Sequence, residues 1–350
     1  MSKDETMNSR ERVYKLFSGE KTDRIPRFIW LHDECKKRIA DKYNIPKEEV
    51  DFFIGNDVLQ SWLSVNAQME RPASQGEEFI DEFGITWKRD GYYNMVIKNP
   101  LAEMDVEEIR NYPMPNPYKE ARYQVFEELK NKYQKDYFIG ADISGTIFEP
   151  AYHMRGMENL LIDMALESDE ADILFDKLTD FSIKVAQEAV KRGADWIWLG
   201  DDQGTQLAMI CGPELWRKYF KPRMIKIINS IRELKPDMII AYHSCGSIEP
   251  IIPDLVEIGI NLLNPIQESA TDMNHNIIRE KFPELVMGCG LDTQQFMPNA
   301  SVEEVSDAVK EKINQLNKNG YYMYMASHTI QPDVSTEKIM AMVDVLNLKK

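Results

Sequence analysis

The chain has 350 residues, 43% hydrophobic and 29% charged, which is the make-up of a globular protein large enough to bury a core without disulfides or a structural metal. Its 58 acidic against 42 basic residues leave a net charge of −16, a balance that disfavours nucleic acid or an anionic membrane as partners, because both need a basic face. The charged start Met1-Ser2-Lys3-Asp4-Glu5 has no signal-peptide core, and no apolar run reaches the ~20 residues of a membrane span. The expectation is a cytoplasmic protein with reduced thiols.

Along the chain, Arg24 to Trp30 reads as a first strand and Asp136 to Gly140 as another. Between them, Phe79 to Ile97 reads as a hairpin-bearing insertion, with Asp90-Gly91 as the turn. Ala171 to Arg192 is a long amphipathic helix. Then the pattern becomes regular. Strands are expected at Asp195–Gly200, Met238–His243, Asn261–Ile266, Leu285–Gly288 and Tyr321–Met325. Helices alternate with them, from Pro213 to Ile231 with Pro222 as a break, then Ile251–Ile258, Asn274–Lys281, Val302–Asn319 and Thr336–Leu346. Repeated strand–helix units imply a parallel sheet, and no Gly-rich dinucleotide fingerprint follows any strand. We therefore read residues 1–350 as one α/β domain, a (β/α)8 TIM-type barrel with an N-terminal helical extension and a hairpin insertion.

In such a barrel, polar residues at strand C-termini are the functional suspects. The segments ending at Gly200, Tyr242, Gly288 and Ala326 run into Asp201-Asp202-Gln203, His243-Ser244-Cys245, Cys289-Gly290-Leu291-Asp292 and Ser327-His328. The strand near Ile139 leads to Asp142, with Glu149 a few residues on. His243 and Cys245, two apart, project to one side and form half of a tetrahedral zinc site. Cys289 or His328 supplies the third ligand, and Glu149 is a candidate carboxylate. Of the adjacent Asp201 and Asp202 only one can face the mouth, the other capping the next turn; Asp292 equally suits an N-cap. Trp196 and Trp198 read as core, Cys35 and Cys211 as structural thiols, and His32, His153 and His275 as packing or surface residues.

These blocks, in this order, resemble the uroporphyrinogen decarboxylase superfamily over nearly the whole chain. Asn8-Ser9-Arg10-Glu11-Arg12-Val13 with Asp23-Arg24-Ile25-Pro26 is similar to its N-terminal signature. So are Ser144-Gly145-Thr146-Ile147-Phe148-Glu149 with Arg155-Gly156, Gly200 to Gly204, His243-Ser244-Cys245-Gly246, Leu291-Asp292-Thr293-Gln294 and Ser327-His328 to later blocks. One branch of the superfamily decarboxylates uroporphyrinogen without a cofactor, holding its carboxylates with N-terminal arginines. Here Arg27-Phe28-Ile29-Trp30-Leu31-His32 follows Pro26, without that cluster. The other branch transfers methyl groups, with zinc on a histidine-X-cysteine pair plus a distant cysteine, and His243 and Cys245 match the pair. Where that branch has Gly-Cys-Gly at the last strand, this chain has Ser327-His328-Thr329, and its Gly288-Cys289-Gly290 lies one strand earlier.

The resemblance implies a zinc-dependent methyltransferase, cobalamin (corrinoid) being supplied by a partner protein and the other substrate being a small methyl donor or acceptor. His243, Cys245 and Cys289 are assigned to metal, with Glu149, Asp202 and His328 as catalytic groups and Asp201, Gln203, Asp292 and Gln294 as substrate contacts. A metal-free carboxy-lyase using Asp201 or Asp202 is the alternative, and a subunit without catalysis a third reading. A homodimer is also implied, by analogy.

Overall fold

The computed structural model describes residues 6–69 and 71–347, so the Met1–Glu5 segment used above lies outside the described residues. Ten strands form: β1 Val58–Trp62, β2 Glu78–Ile80, β3 Thr86–Asp90, β4 Tyr93–Lys98, β5 Phe138–Asp142, β6 Trp196–Gly200, β7 Ile239–His243, β8 Leu262–Asn264, β9 Val286–Cys289 and β10 Tyr322–Tyr324. Seven of them run parallel in the order β1-β5-β6-β7-β8-β9-β10, each linked to the next by helix. The sheet curls as a TIM-type barrel.

The eighth position is filled without a regular strand. Arg27 and Leu31 make isolated parallel bridges to Tyr324 and Ile330. The Phe28 amide donates to the Tyr324 carbonyl at 3.0 Å, and the Tyr324 amide to that of Pro26 at 2.8 Å. Towards β1, a side chain replaces part of the ladder. The Asn56 amide accepts from Ile29 N–H and donates to Ile29 C=O, both at 2.9 Å. Pro26 has no N–H to give, so the ladder to β10 lacks a donor at that position, where the sequence suggested an unbroken strand.

Strand alternation sorts the side chains into two layers. Phe28, Val58, Phe138, Trp196, Trp198, Ile239, Ala241, Leu262, Val286, Met323 and Met325 fill the lumen. Their neighbours of opposite parity, such as Ile139, Ile197, Ile240, Leu263 and Met287, pack under the surrounding helices. The helix Ser9–Phe17, opened by an Asn8–Glu11 capping box, closes the lumen floor with Val13 and Leu16. Its fully buried Arg12 lies 2.6 Å from Asp57 and 2.7 Å from Asp23. Pro222 divides the helical region after β6 as expected, into Gly212–Tyr219 and Lys221–Leu234.

β2, β3 and β4 form a separate antiparallel sheet, and the β3–β4 turn passes through Gly91 at φ 58°. This hairpin reaches across to the far rim of the barrel mouth. Tyr92 and Tyr93 meet the His32 ring at 4.9 and 6.0 Å, and Gln331 donates to the Tyr93 hydroxyl at 2.6 Å. No helix of the described residues is long and apolar enough to cross a membrane.

Candidate metal centre

β7 carries the pair the sequence singled out. Ile239, Ala241 and His243 alternate into the lumen, and the His243 ring rests beside Trp30 and Trp198, with centroids 5.8 and 6.4 Å away. The chain leaves β7 through Gly246 at φ 81°, where a Cβ would collide with the Gly204 backbone. Only glycine fits there, and the turn it permits swings Cys245 back, placing its Sγ 3.5 Å from His243 Nε2. His328, beyond β10 on the opposite wall, brings its ring centroid within 6.0 Å of the His243 ring. The ligand atoms of His243, Cys245 and His328 all lie within 4.8 Å of one another. In a tetrahedral zinc site they would stand about 3.4–3.6 Å apart, as Zn–N and Zn–S bond lengths dictate.

The tautomer of His243 follows from a residue that the sequence reading passed over. Asn264, buried at the end of β8, donates from Nδ2 to the Gly288 carbonyl at 2.8 Å. Its Oδ1 lies 2.8 Å from His243 Nδ1, so Nδ1 carries the proton and the Nε2 lone pair faces Cys245 and His328. A polar residue inside the apolar run Asn261–Ile266 was the available signal. Asp202 Oδ1 accepts from the Cys245 amide at 2.8 Å and lies 3.6 Å from His243 Nε2.

Cys289 is not brought to this group. On β9 the lumen side belongs to Val286 and Gly288; a Cβ on Gly288 would meet Met325 and Asn264. Cys289, of opposite parity, packs in the helix-side core, where burial pushes its thiol up to about 12. The third residue that converges on His243 and Cys245 is His328.

The remaining predicted site residues divide sharply. Asp201 is buried and accepts from the Ile147 and Glu149 amides at 3.0–3.1 Å, capping the helix Phe148–Arg155. It fixes Glu149 in place and is spent before it reaches a substrate. Asp292 likewise accepts from the Gln294, Gln295 and Phe296 amides at 2.9–3.1 Å. Gln203 is fully buried, its amide donating to Ser244 Oγ at 2.9 Å. Gln294 is exposed on the rim and accepts from Gln206 at 3.4 Å. A cleft of about 1080 Å³ opens at the opposite end of the barrel, against Lys21, Phe53 and Asn347, and includes none of these residues.

The sequence profile described as uroporphyrinogen decarboxylase (URO-D) matches residues 82–347. The chain belongs to the URO-D family. A solved methyltransferase from Methanosarcina mazei shares its fold, at 16% identity over 97% of this chain and 98% of the other, with a TM-score of 0.72. Xylanase 10B from Thermotoga petrophila aligns far more loosely, at 10% identity over 98% of each chain and a TM-score of 0.45. No curated protein matches the sequence.

In this URO-D family chain the mouth is strongly acidic. Glu149 accepts from Asn66 Nδ2 at 3.0 Å and from the Tyr152 hydroxyl at 3.4 Å. Burial, and then the charges of Asp202 and Asp201, raise its carboxyl well above the ordinary range. Burial also raises the Cys245 thiol, helped by Asp202 and Glu149. A thiol surrounded by carboxylates stays protonated unless a cation joins it, and a bound metal ion supplies that cation.

Proposed function

We propose that this chain is a zinc-dependent methyltransferase, moving a methyl group between a small substrate and a corrinoid carried by a partner protein. The observation that carries the reading is the convergence of His243 Nε2, Cys245 Sγ and His328 at the C-terminal mouth of the barrel. Two imidazoles and one thiol suit zinc, and three protein ligands with one side open is the composition of a catalytic site. URO-D family membership and the likeness in fold to a solved methyltransferase support it.

When bound, zinc would supply a Lewis acid to the substrate atom that bears or receives the methyl group. The chain's own residues do the positioning. Asn264 holds the His243 ring and its tautomer, as partners of metal-ligating histidines do. Asp202 fixes the Cys245 backbone. Glu149, its carboxyl raised by burial and then by the charges of Asp202 and Asp201, offers a proton to the substrate across the mouth. Trp30 and Trp198 flank the His243 ring with their indoles.

Elemental analysis of the purified protein tests this. About one zinc per chain is expected, lost in His243→Ala, Cys245→Ser and His328→Ala and kept in Cys289→Ser. Wild-type protein that takes up no zinc under reducing conditions refutes the reading, and loss of zinc in Cys289→Ser refutes the ligand assignment.

A further inference from the structure

Three side chains converge at the mouth, and their supports differ. The His243 ring is fixed by Asn264. Cys245 is fixed by the turn at Gly246 and by Asp202, which accepts from its amide. The His328 ring has no hydrogen-bond partner among the described residues; it is exposed, and meets the His243 ring at 6.0 Å between centroids. Its place therefore depends on the backbone that carries it.

That backbone crosses the rim from Ser327 to Gln331 and is tied down on both sides of His328. The Ser327 amide donates to the Leu291 carbonyl at 3.1 Å, and the Ser327 hydroxyl accepts from the Thr293 amide at 3.1 Å. The Ile330 amide donates to the Trp30 carbonyl at 2.9 Å, and the Ile330 carbonyl accepts from the His32 amide at 3.0 Å. Between these ties stand His328 and the buried Thr329. The Thr329 carbonyl accepts from Gln331 Nε2 at 3.0 Å. A carbonyl can only accept, so the Gln331 amide has to turn its nitrogen this way. The same nitrogen donates its second hydrogen to the Tyr93 hydroxyl at 2.6 Å.

Tyr93 opens β4 on the inserted hairpin, which is a pinned arm. Trp87 on β3 is buried, 5.2 Å from the His153 ring between centroids, and its Nε1 donates to Asp81 at 2.8 Å. The buried Asn94, next after Tyr93, donates from Nδ2 to the Gln68 and Arg71 carbonyls at 2.7 and 2.9 Å. At the tip the His32 ring hydrogen-bonds the Tyr92 backbone, while its Nδ1 accepts from the Glu34 amide at 3.1 Å. An arm held at base and tip presents its hydroxyl at a fixed place. The ring of strands closes through Pro26, Phe28 and Tyr324 without the hairpin, so the contact with Gln331 is not needed to shut the barrel.

We infer, on the metal reading above, that Tyr93 and Gln331 are positioning residues for His328. Through them the hairpin fixes the backbone at Thr329 and keeps the neighbouring imidazole beside His243 and Cys245.

Competition for zinc against a chromophoric chelator provides the test. Gln331→Met keeps the length of the side chain and removes both N–H donors; Tyr93→Phe keeps the ring and removes the hydroxyl. Zinc affinity is expected to fall about tenfold in Gln331→Met and about threefold in Tyr93→Phe, the worth of one ordinary hydrogen bond. With cobalt(II) in place of zinc, the visible spectrum of each variant at saturation is expected to depart from that of wild type, since those bands follow the geometry of the ligand set. A purely structural role would lower the urea midpoints and leave the spectrum unchanged, and that result overturns the inference. So do zinc affinities within twofold of wild type in both variants. Wild-type protein that takes up no zinc removes the metal reading itself, and the inference with it.

Discussion

Removing the Asn264 side chain isolates the contribution of one hydrogen-bonded group to the candidate metal centre. In Asn264→Ala the His243 Nδ1–H loses its acceptor and the Gly288 carbonyl its donor, two bonds of 2.8 Å in a buried setting. The His243 ring is then free to rotate or to take the other tautomer, which turns a proton towards Cys245. Outer partners of this kind are worth about 10–100-fold in metal affinity, or about 1.4–2.8 kcal/mol. The orphaned Gly288 carbonyl adds a stability cost of about 1–3 kcal/mol. The assay is competition for zinc against a chromophoric chelator, with His243→Ala as the limit of complete loss and a urea titration to separate affinity from folding. A zinc affinity within twofold of wild type in folded Asn264→Ala would falsify the assigned role. So would a loss as complete as that of His243→Ala, because Asn264 supplies orientation and no ligand.

Three further outcomes are expected. His153 sits between Trp87 and Tyr152, with ring centroids 5.2 and 4.5 Å away, and burial alone lowers its pKa from 6.5 to about 4. The unfolded chain therefore binds the proton first, and roughly 3 kcal/mol of stability is lost as pH falls from 6.5 towards 4; urea midpoints across that range should fall more steeply in wild type than in His153→Phe. Arg12→Met leaves the buried Asp57 with the Arg24 guanidinium 2.7 Å away and the Arg27 amide at 2.9 Å, and should cost about 3 kcal/mol by urea denaturation with zinc content unchanged. Gly246→Ala meets both a positive φ and the Gly204 backbone; zinc binding should be lost while circular dichroism still reports a folded barrel, at a cost of about 1–3 kcal/mol.

The second half of the barrel was legible because each strand there is a short apolar run bounded by breakers. Pro222 even marked the gap between Tyr219 and Lys221. β1 escaped notice because Gln60 and Ser61 interrupt its apolar run, although Gln60 is needed inside, donating to Asp142 and accepting from Trp196 Nε1 at 2.8 Å. The closing segment was seen at the right place but as a regular strand, since pairing through the Asn56 side chain leaves no periodic trace. His243, Cys245 and His328, which converge at the mouth, stood out in the sequence by their places at strand ends, His328 as a catalytic group or alternative ligand. The choice of Cys289 failed on parity. Gly288 is the residue of β9 that faces inward beside Asn264, so its neighbour in sequence has to face the helices. Asn264 and Asp142 were hardest to weigh, because one polar residue at the end of a strand gives no hint of which partner it will meet.

The join between the Arg27 region and Tyr324 has a consequence for synthesis. The ring shuts through bonds between Pro26, Phe28 and Tyr324, nearly three hundred residues apart, so a nascent chain on the ribosome cannot complete it until β10 has emerged. Until then β1 and the growing edge of the sheet expose unpaired backbone, and the floor helix has only part of a lumen to plug. Such open edges are templates for pairing between chains, and contacts this remote in sequence form slowly. Translation speed and chaperone capture before release should therefore govern the yield of this protein more than the equilibrium stability of the finished barrel.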